Sequence, residues 1–136
     1  MKVVLDTNVF VSGLFFSSGA PRQILLGWNE GRFKLVVSLE IFKEYQVTIQ
    51  ELRRKYHSID VDETLDLVLR EAEICSSFAL PQAVCDDPKD DMFFACALAA
   101  KAKIIVSGDK HLLSVKDYEG IEVLKPRSFF EKYLQR

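Results

Sequence analysis

The chain has 136 residues, enough for one domain with a real core and too few for two ordinary ones. At 49% apolar and 28% charged residues, with 6 Gly and 4 Pro, it is neither a disordered nor a fibrous sequence. The 18 Lys and Arg against 20 Asp and Glu give a formal charge of -2, so there is no broad basic field of the kind that marks many nucleic-acid binders; a nuclease, which needs acids for a metal, is not excluded.

Cys75, Cys85 and Cys96 are odd in number and lack C-x-x-C spacing, and His57 and His111 are the only histidines, which argues against a zinc site and suits a reducing compartment. The first apolar run is broken by Asp6, and no apolar stretch approaches 18 residues. One cytoplasmic domain spanning residues 1–136, without membrane association, is the expectation.

Val3, Val4 and Leu5 form a short β-branched run stopped by Asp6-Thr7-Asn8, the pattern of a buried parallel strand with polar side chains at its carboxyl end. Ligands of open α/β sheets bind beyond those ends, so Asp6 reads as a metal ligand or catalytic carboxylate, with a turn or helix-cap aspartate as the plainer reading. Val9, Phe10 and Val11 continue apolar, and Phe15 to Gly19 reads as a connection tucked against the core. Ala20-Pro21 opens a helix to about Asn29, with Ile24, Leu25 and Trp28 on its apolar face. Phe33 to Val37 is the second strand, and Ser38 is placed to cap the next helix, Leu39 toward Lys55.

Leu39, Phe42, Tyr45, Ile49 and Leu52 give that helix its buried stripe, with Glu44 on the flank where a side chain can reach a cleft edge or simply meet solvent. Arg53, Arg54 and Lys55 are a solvated helix end or a phosphate-contacting rim. Asp60 or Asp62 starts a further helix with Leu65, Val68, Leu69 and Ala72 inside, ending near Glu73, and Ile74 to Leu80 holds a short strand.

Asp86-Asp87-Pro88-Lys89-Asp90-Asp91 is the densest acidic cluster. Asp87 as N-cap, Pro88 at the first position and Asp90 near the third account for a helix start. Asp91 shares a stripe with Ala95 and Leu98, so its carboxylate must be paired, hydrogen-bonded or bound to a cation. Ile104-Ile105-Val106 repeats the pattern of the first strand, with Ser107-Gly108-Asp109 at its end; Asp109 either faces the same crevice as Asp6 or caps the turn at His111. A last strand, Ile121 to Leu124, precedes a C-terminal helix packing through Phe129, Phe130, Tyr133 and Leu134.

Asp6, Glu44, Asp91 and Asp109 together read as an oxygen-rich pocket for Mg²⁺ or Mn²⁺, chemistry suited to phosphodiester hydrolysis. With LDTNVFVSG, SLEIFKEY, DDPKDDMFFACALAAKA, IIVSGDKHLL and IEVLKPRSFFEKYL, the chain resembles the PIN domain ribonucleases along its whole length, in particular the small stand-alone toxins of toxin–antitoxin pairs. The resemblance implies a three-layer α/β/α sandwich around a central parallel sheet of about five strands. It places the family's four acids on Asp6, Glu44, Asp91 and Asp109, with Asn8 ordering the first acid and Ser107 preceding the fourth.

It further implies a Mg²⁺- or Mn²⁺-dependent endoribonuclease acting on single-stranded RNA, inhibited by a small antitoxin protein whose tail enters the acidic cleft, and a homodimer. Phe10, Phe15, Phe16 and Trp28 are aromatics for such a dimer surface. Asp90 adjoins Asp91 and competes with it for the third position. A catalytically silent RNA-binding or partner-binding module is the alternative. A haloacid-dehalogenase-like phosphatase lacks its second Asp two positions after Asp6, and a receiver domain lacks its acidic pair near the first strand.

Overall fold

Lys2–Leu5 forms strand β1, whose Val3, Val4 and Leu5 are fully buried, as expected of a strand covered on both faces. The computed structural model describes residues 1–57, 61–76 and 79–135. Along these, β1 is followed by helices α1 (Thr7–Phe15) and α2 (Ala20–Asn29), then β2 (Lys34–Ser38), α3 (Leu39–Arg53), α4 (Val61–Glu71) and the short β3 (Glu73–Cys75). A 3-10 turn at Pro88–Asp90 leads into α5 (Asp91–Ala100), then come β4 (Ile104–Val106), α6 (Lys110–Leu113), β5 (Glu122–Leu124) and α7 (Pro126–Phe129), which ends in a π-helical turn at Phe130–Leu134.

The five strands pair in parallel in the order β3-β2-β1-β4-β5. The central pair is the one expected from the two apolar runs: Val3, Val4 and Leu5 lie opposite Ile104, Ile105 and Val106. The chain builds outward from β1 through β2 to β3, then returns to build β4 and β5 on the other side, so the strand order reverses between β1 and β4. Parallel crossovers are right-handed, which puts the connections of the two halves on opposite faces. α5 crosses one face against β1, β2, β3 and β4, while α1, α2 and α7 pack together. This is the expected α/β/α sandwich.

α1 is the main element that the sequence pattern conceals. Thr7, Val9, Phe10, Val11, Gly13 and Leu14 are all buried, so the helix is apolar nearly all round and shows no 3.6-residue alternation. Its closeness to α2 depends on Gly13: a Cβ there would fall 2.7 Å from the Pro21 carbonyl oxygen and 2.7 Å from Leu25 Cγ. Gly13→Ala should therefore destabilise the protein by about 2 kcal/mol through overpacking, measurable as a lowered midpoint in urea unfolding at unchanged slope.

Other expectations need smaller changes. Ser38 caps α3 by accepting the Ile41 amide, but Leu39 is 70% exposed because it is the first residue of the helix and lies outside its buried stripe. Leu69 of α4 is likewise exposed, leaving Val61 and Val68 as its buried face. Asp60, one of the two expected starts of α4, lies outside the described residues, and the expected strand at Ile74 to Leu80 is confined to Glu73–Cys75 before Ser77 and Phe78, which also lie outside them. Of the four early aromatics, Phe10 and Trp28 are buried and Phe15 is partly buried; the exposed Phe16 meets Tyr56 edge-on at 5.3 Å. Among the described residues no single helix is long and apolar enough to cross a membrane.

Candidate active site

The reversal of strand order between β1 and β4 opens a crevice at their carboxyl ends, where open α/β sheets bind ligands. Asp6 stands at the end of β1. Its amide donates to the Val106 carbonyl at 2.9 Å, carrying the β1–β4 ladder one step further and fixing its backbone. It occupies the N-cap position of α1 but makes no side-chain cap bond, so the plainer reading as a helix cap does not describe it. Instead the Ser107 hydroxyl, from the end of β4, donates to Asp6 Oδ2 at 2.6 Å, and both residues are buried.

Ser107 also accepts the Asp109 amide at 2.9 Å, and Asp109 Oδ1 in turn accepts the His111 amide at 2.7 Å as the cap of α6. Glu44, on the partly buried flank of α3, accepts a 2.5 Å hydrogen bond from the Thr7 hydroxyl. Next to it, the fully buried Tyr45 donates to the Leu5 carbonyl at 2.6 Å and stacks on Phe10 at 4.3 Å, tying α3 to the residue before Asp6.

The apolar stripe of α5 does not bring the Asp91 carboxylate to Asp6. Asp91 accepts the Cys85 amide at 2.7 Å and the Val84 amide at 3.2 Å, facing a depression lined by Ala83, Pro88, Met92 and Ala95. Its carboxylate is used by the loop before it. Asp90 couples instead to Asp109 and Asp6. The reason for the difference is that α5 buries Phe93, Phe94, Ala95, Cys96, Ala97 and Ala100 around most of its circumference, so an inward direction does not single out the crevice. Asp90, one residue earlier in the 3-10 turn, lies close enough to Asp109 and Asp6 to feel their charge. Asp87 behaves as the expected N-cap, accepting the Lys89 amide at 3.0 Å.

Two other expectations differ. Asn8 is exposed and makes no hydrogen bond to Asp6; the Ser107 hydroxyl holds that carboxylate. Arg53 is ion-paired with Asp62 at 2.7 Å at the far end of α3, about 13 Å along the helix from Glu44, so the basic run does not rim the crevice.

Burial holds the Asp6 carboxyl above the usual aspartate range, with Asp109 and Glu44 adding to the effect and Ser107 opposing it. Asp90 is pushed up to about 6, by burial first and then by Asp109, Asp87 and Asp6. Among the described residues none of Asp6, Glu44, Asp90 and Asp109 is ion-paired with a lysine or arginine. Four acids lie close together with no lysine or arginine partner among the described residues, and all the atoms they offer a metal are oxygens, a set that fits a hard divalent ion in chemistry and charge. They are not a finished cage, since among the described residues no three acid, histidine or cysteine side chains form a group that could hold an ion.

A linkage prediction follows from the raised values. A carboxyl that binds its proton more tightly when folded stabilises the protein fully below its unfolded pKa, near 3.8 for Asp90, and that contribution is lost as pH rises through about 6. In metal-free buffer the Asp90 contribution should therefore decline between about pH 4 and about pH 6, with Asp6 changing in the same direction. Mn²⁺ should raise the thermal midpoint more at pH 7 than at pH 5, because it competes with protons for the same oxygens. Differential scanning fluorimetry across pH with and without Mn²⁺ checks this; an equal shift at both pH values would contradict it.

A five-stranded parallel sheet with an acidic crevice at the reversal of strand order is the arrangement of a nuclease-type α/β domain, and the sequence places it: the PIN domain family matches residues 2–111, and the chain belongs to that family. PIN domains are generally nucleases, usually dependent on divalent metals. The chain is also similar to an uncharacterized protein, MJ1680, of Methanocaldococcus jannaschii, at 31% identity over 145 residues that cover 98% of this chain and 92% of that protein.

Thr7 and Tyr45 carry no functional reading in the sequence, and Asp90 carries only that of a helix start and of a competitor of Asp91 for the third position. Thr7 sits between two candidate residues but reads only as part of the polar end of β1, and Tyr45, beside a third, reads only as part of the buried stripe of α3. Asp90 was accounted for by helix capping, which explains its place in the turn but not its electrostatic company.

Proposed function

We propose that the protein is a Mg²⁺- or Mn²⁺-dependent endoribonuclease that hydrolyses single-stranded RNA in the β1–β4 crevice. The observation that carries this reading is the gathering of Asp6, Glu44, Asp90 and Asp109 at the carboxyl ends of β1 and β4, where Ser107 bridges Asp6 and Asp109 and, among the described residues, no lysine or arginine pairs with any of the four. Asp6 and Asp90 are the residues assigned to direct metal contact, with Asp109 and Glu44 completing the site through water or a second ion. Asp90 takes the place given to Asp91 by the sequence pattern. A bound divalent ion supplies Lewis-acid polarisation of the phosphate and lowers the pKa of its water.

The chain's own residues do the rest. Ser107 fixes one Asp6 oxygen, while Thr7 holds Glu44 against the start of α1. Lys43, Lys89 and Lys110 flank Glu44, Asp90 and Asp109 in sequence and are exposed, so they are assigned to steering the RNA backbone in place of the distant Arg53 run. The toxin reading, with a small antitoxin as partner, a homodimeric assembly and a cytoplasmic location, rests on the resemblance to the stand-alone members. A short adjacent gene for a DNA-binding protein with an amphipathic tail would support it.

The test is cleavage of a labelled single-stranded RNA by the purified chain with Mn²⁺, with Mg²⁺ and with EDTA. Metal-dependent cleavage abolished by EDTA supports the proposal. RNA binding that is independent of metal, with no cleavage of any sequence, overturns it in favour of a silent binding module.

A further inference from the structure

The strands and helices also bring together two sulfurs that have no part in the acidic crevice. Cys75 ends β3, the sheet edge, and is partly exposed; Cys96 lies in the middle of α5 and is fully buried. Their Sγ atoms are 3.3 Å apart and share a thiol hydrogen bond, and Cys75 Sγ is also 3.7 Å from the Cys96 carbonyl oxygen. A disulfide needs an S–S distance near 2.05 Å, so closure requires the sulfurs to move together by little more than 1 Å. Cys85, the third thiol, is buried separately beside Asp91.

We propose that Cys75 and Cys96 are a paired modification site, which a low-molecular-weight disulfide of the glutathione class converts to an intrachain disulfide clamping edge strand β3 to α5. Cys75 attacks first because it is the accessible sulfur, whereas burial pushes the Cys96 thiol well above the usual range. The Cys75 thiolate forms a bond to one sulfur of the oxidant, breaking its S–S bond and releasing one small thiol. Cys96 then attacks the Cys75 sulfur of that mixed disulfide, its proton leaving with the second small thiol. Two protein thiols and one small disulfide thus become one protein disulfide and two small thiols, two electrons passing to the oxidant.

The two cysteines are 21 residues apart, and the chain between them carries Asp86, Asp87, Asp90 and Asp91. The clamp would tie both ends of the segment that presents Asp90 to the crevice.

The purified full chain is equilibrated with glutathione disulfide, then unfolded, alkylated and mapped by mass spectrometry. The expected result is a loss of two hydrogens, a Cys75–Cys96 linked peptide, Cys85 still alkylated, and a rise in thermal midpoint of roughly 10 °C that dithiothreitol reverses. Cys75→Ser should lose the linkage and the rise, while Cys85→Ser should keep both. A stable glutathione adduct on Cys75 with Cys96 still alkylatable, a linkage through Cys85, or no oxidation of the unmutated chain would each overturn the proposal. None of these readouts depends on nuclease activity, so failure here and failure of the proposed function are separately visible.

Discussion

Asp6→Asn should leave the protein folded and reduce divalent-dependent RNA cleavage by at least about a hundredfold. Ser107 donates to Asp6 Oδ2, and an asparagine carbonyl oxygen accepts that bond equally well, so the β1–β4 junction keeps its geometry. What disappears is the charge. Asp6 is 6% exposed and its ionised form is disfavoured by burial and by Asp109 and Glu44, so neutralising it removes a cost to the metal-free fold. The thermal midpoint without metal at pH 7 should be unchanged or higher, and the response to Mn²⁺ should largely vanish. Cleavage unchanged by the substitution and by EDTA would rule out the mechanism.

The second large effect separates two adjacent acids. Asp90→Asn should lower cleavage by about a hundredfold while leaving stability at pH 7 equal or improved, because the lost carboxylate is one held up to about 6 by burial and neighbouring acids. Asp91→Asn should do the reverse. It weakens the acceptor for the Cys85 and Val84 amides, costing about 1–2 kcal/mol, while the folded enzyme retains its activity within a few-fold. Urea unfolding and cleavage rates on the two variants give opposite rankings if Asp90 is the third acid. If Asp91→Asn is the inactive variant, the assignment returns to the residue that the stripe of α5 suggests.

That pair also shows where the sequence stops being legible. β1 and β4 could be read as central neighbours because each is an apolar run ended by acids, and a parallel strand buried on both faces has few other ways to be written. The same uniform burial that makes strands conspicuous makes α1 and α5 uninformative, since a helix covered on most sides has no polar face to mark direction. One residue of helix is about 100° of rotation, so an ambiguity between Asp90 and Asp91 cannot be resolved without knowing what each neighbour touches. Thr7 and Tyr45 were illegible for a related reason: their partners, Glu44 and Leu5, lie 37 and 40 residues away in sequence.

The pairing of β1 with β4 also bears on when the protein becomes competent. Ser107 and Asp6 are 101 residues apart, so the first acid acquires its partner only after most of the chain exists. At synthesis rates of about 5–20 residues per second, a nascent chain carries Asp6 for roughly 5–20 seconds before Ser107 has been made. During that interval β1 can pair with β2 on one side, but its other edge waits for Ile104 to Val106. Closing so distant a contact makes folding slow relative to a protein built from local pairings. Because the crevice is formed at that same closure, a nascent chain that has not reached Ser107 cannot hold Asp6 as the finished protein does.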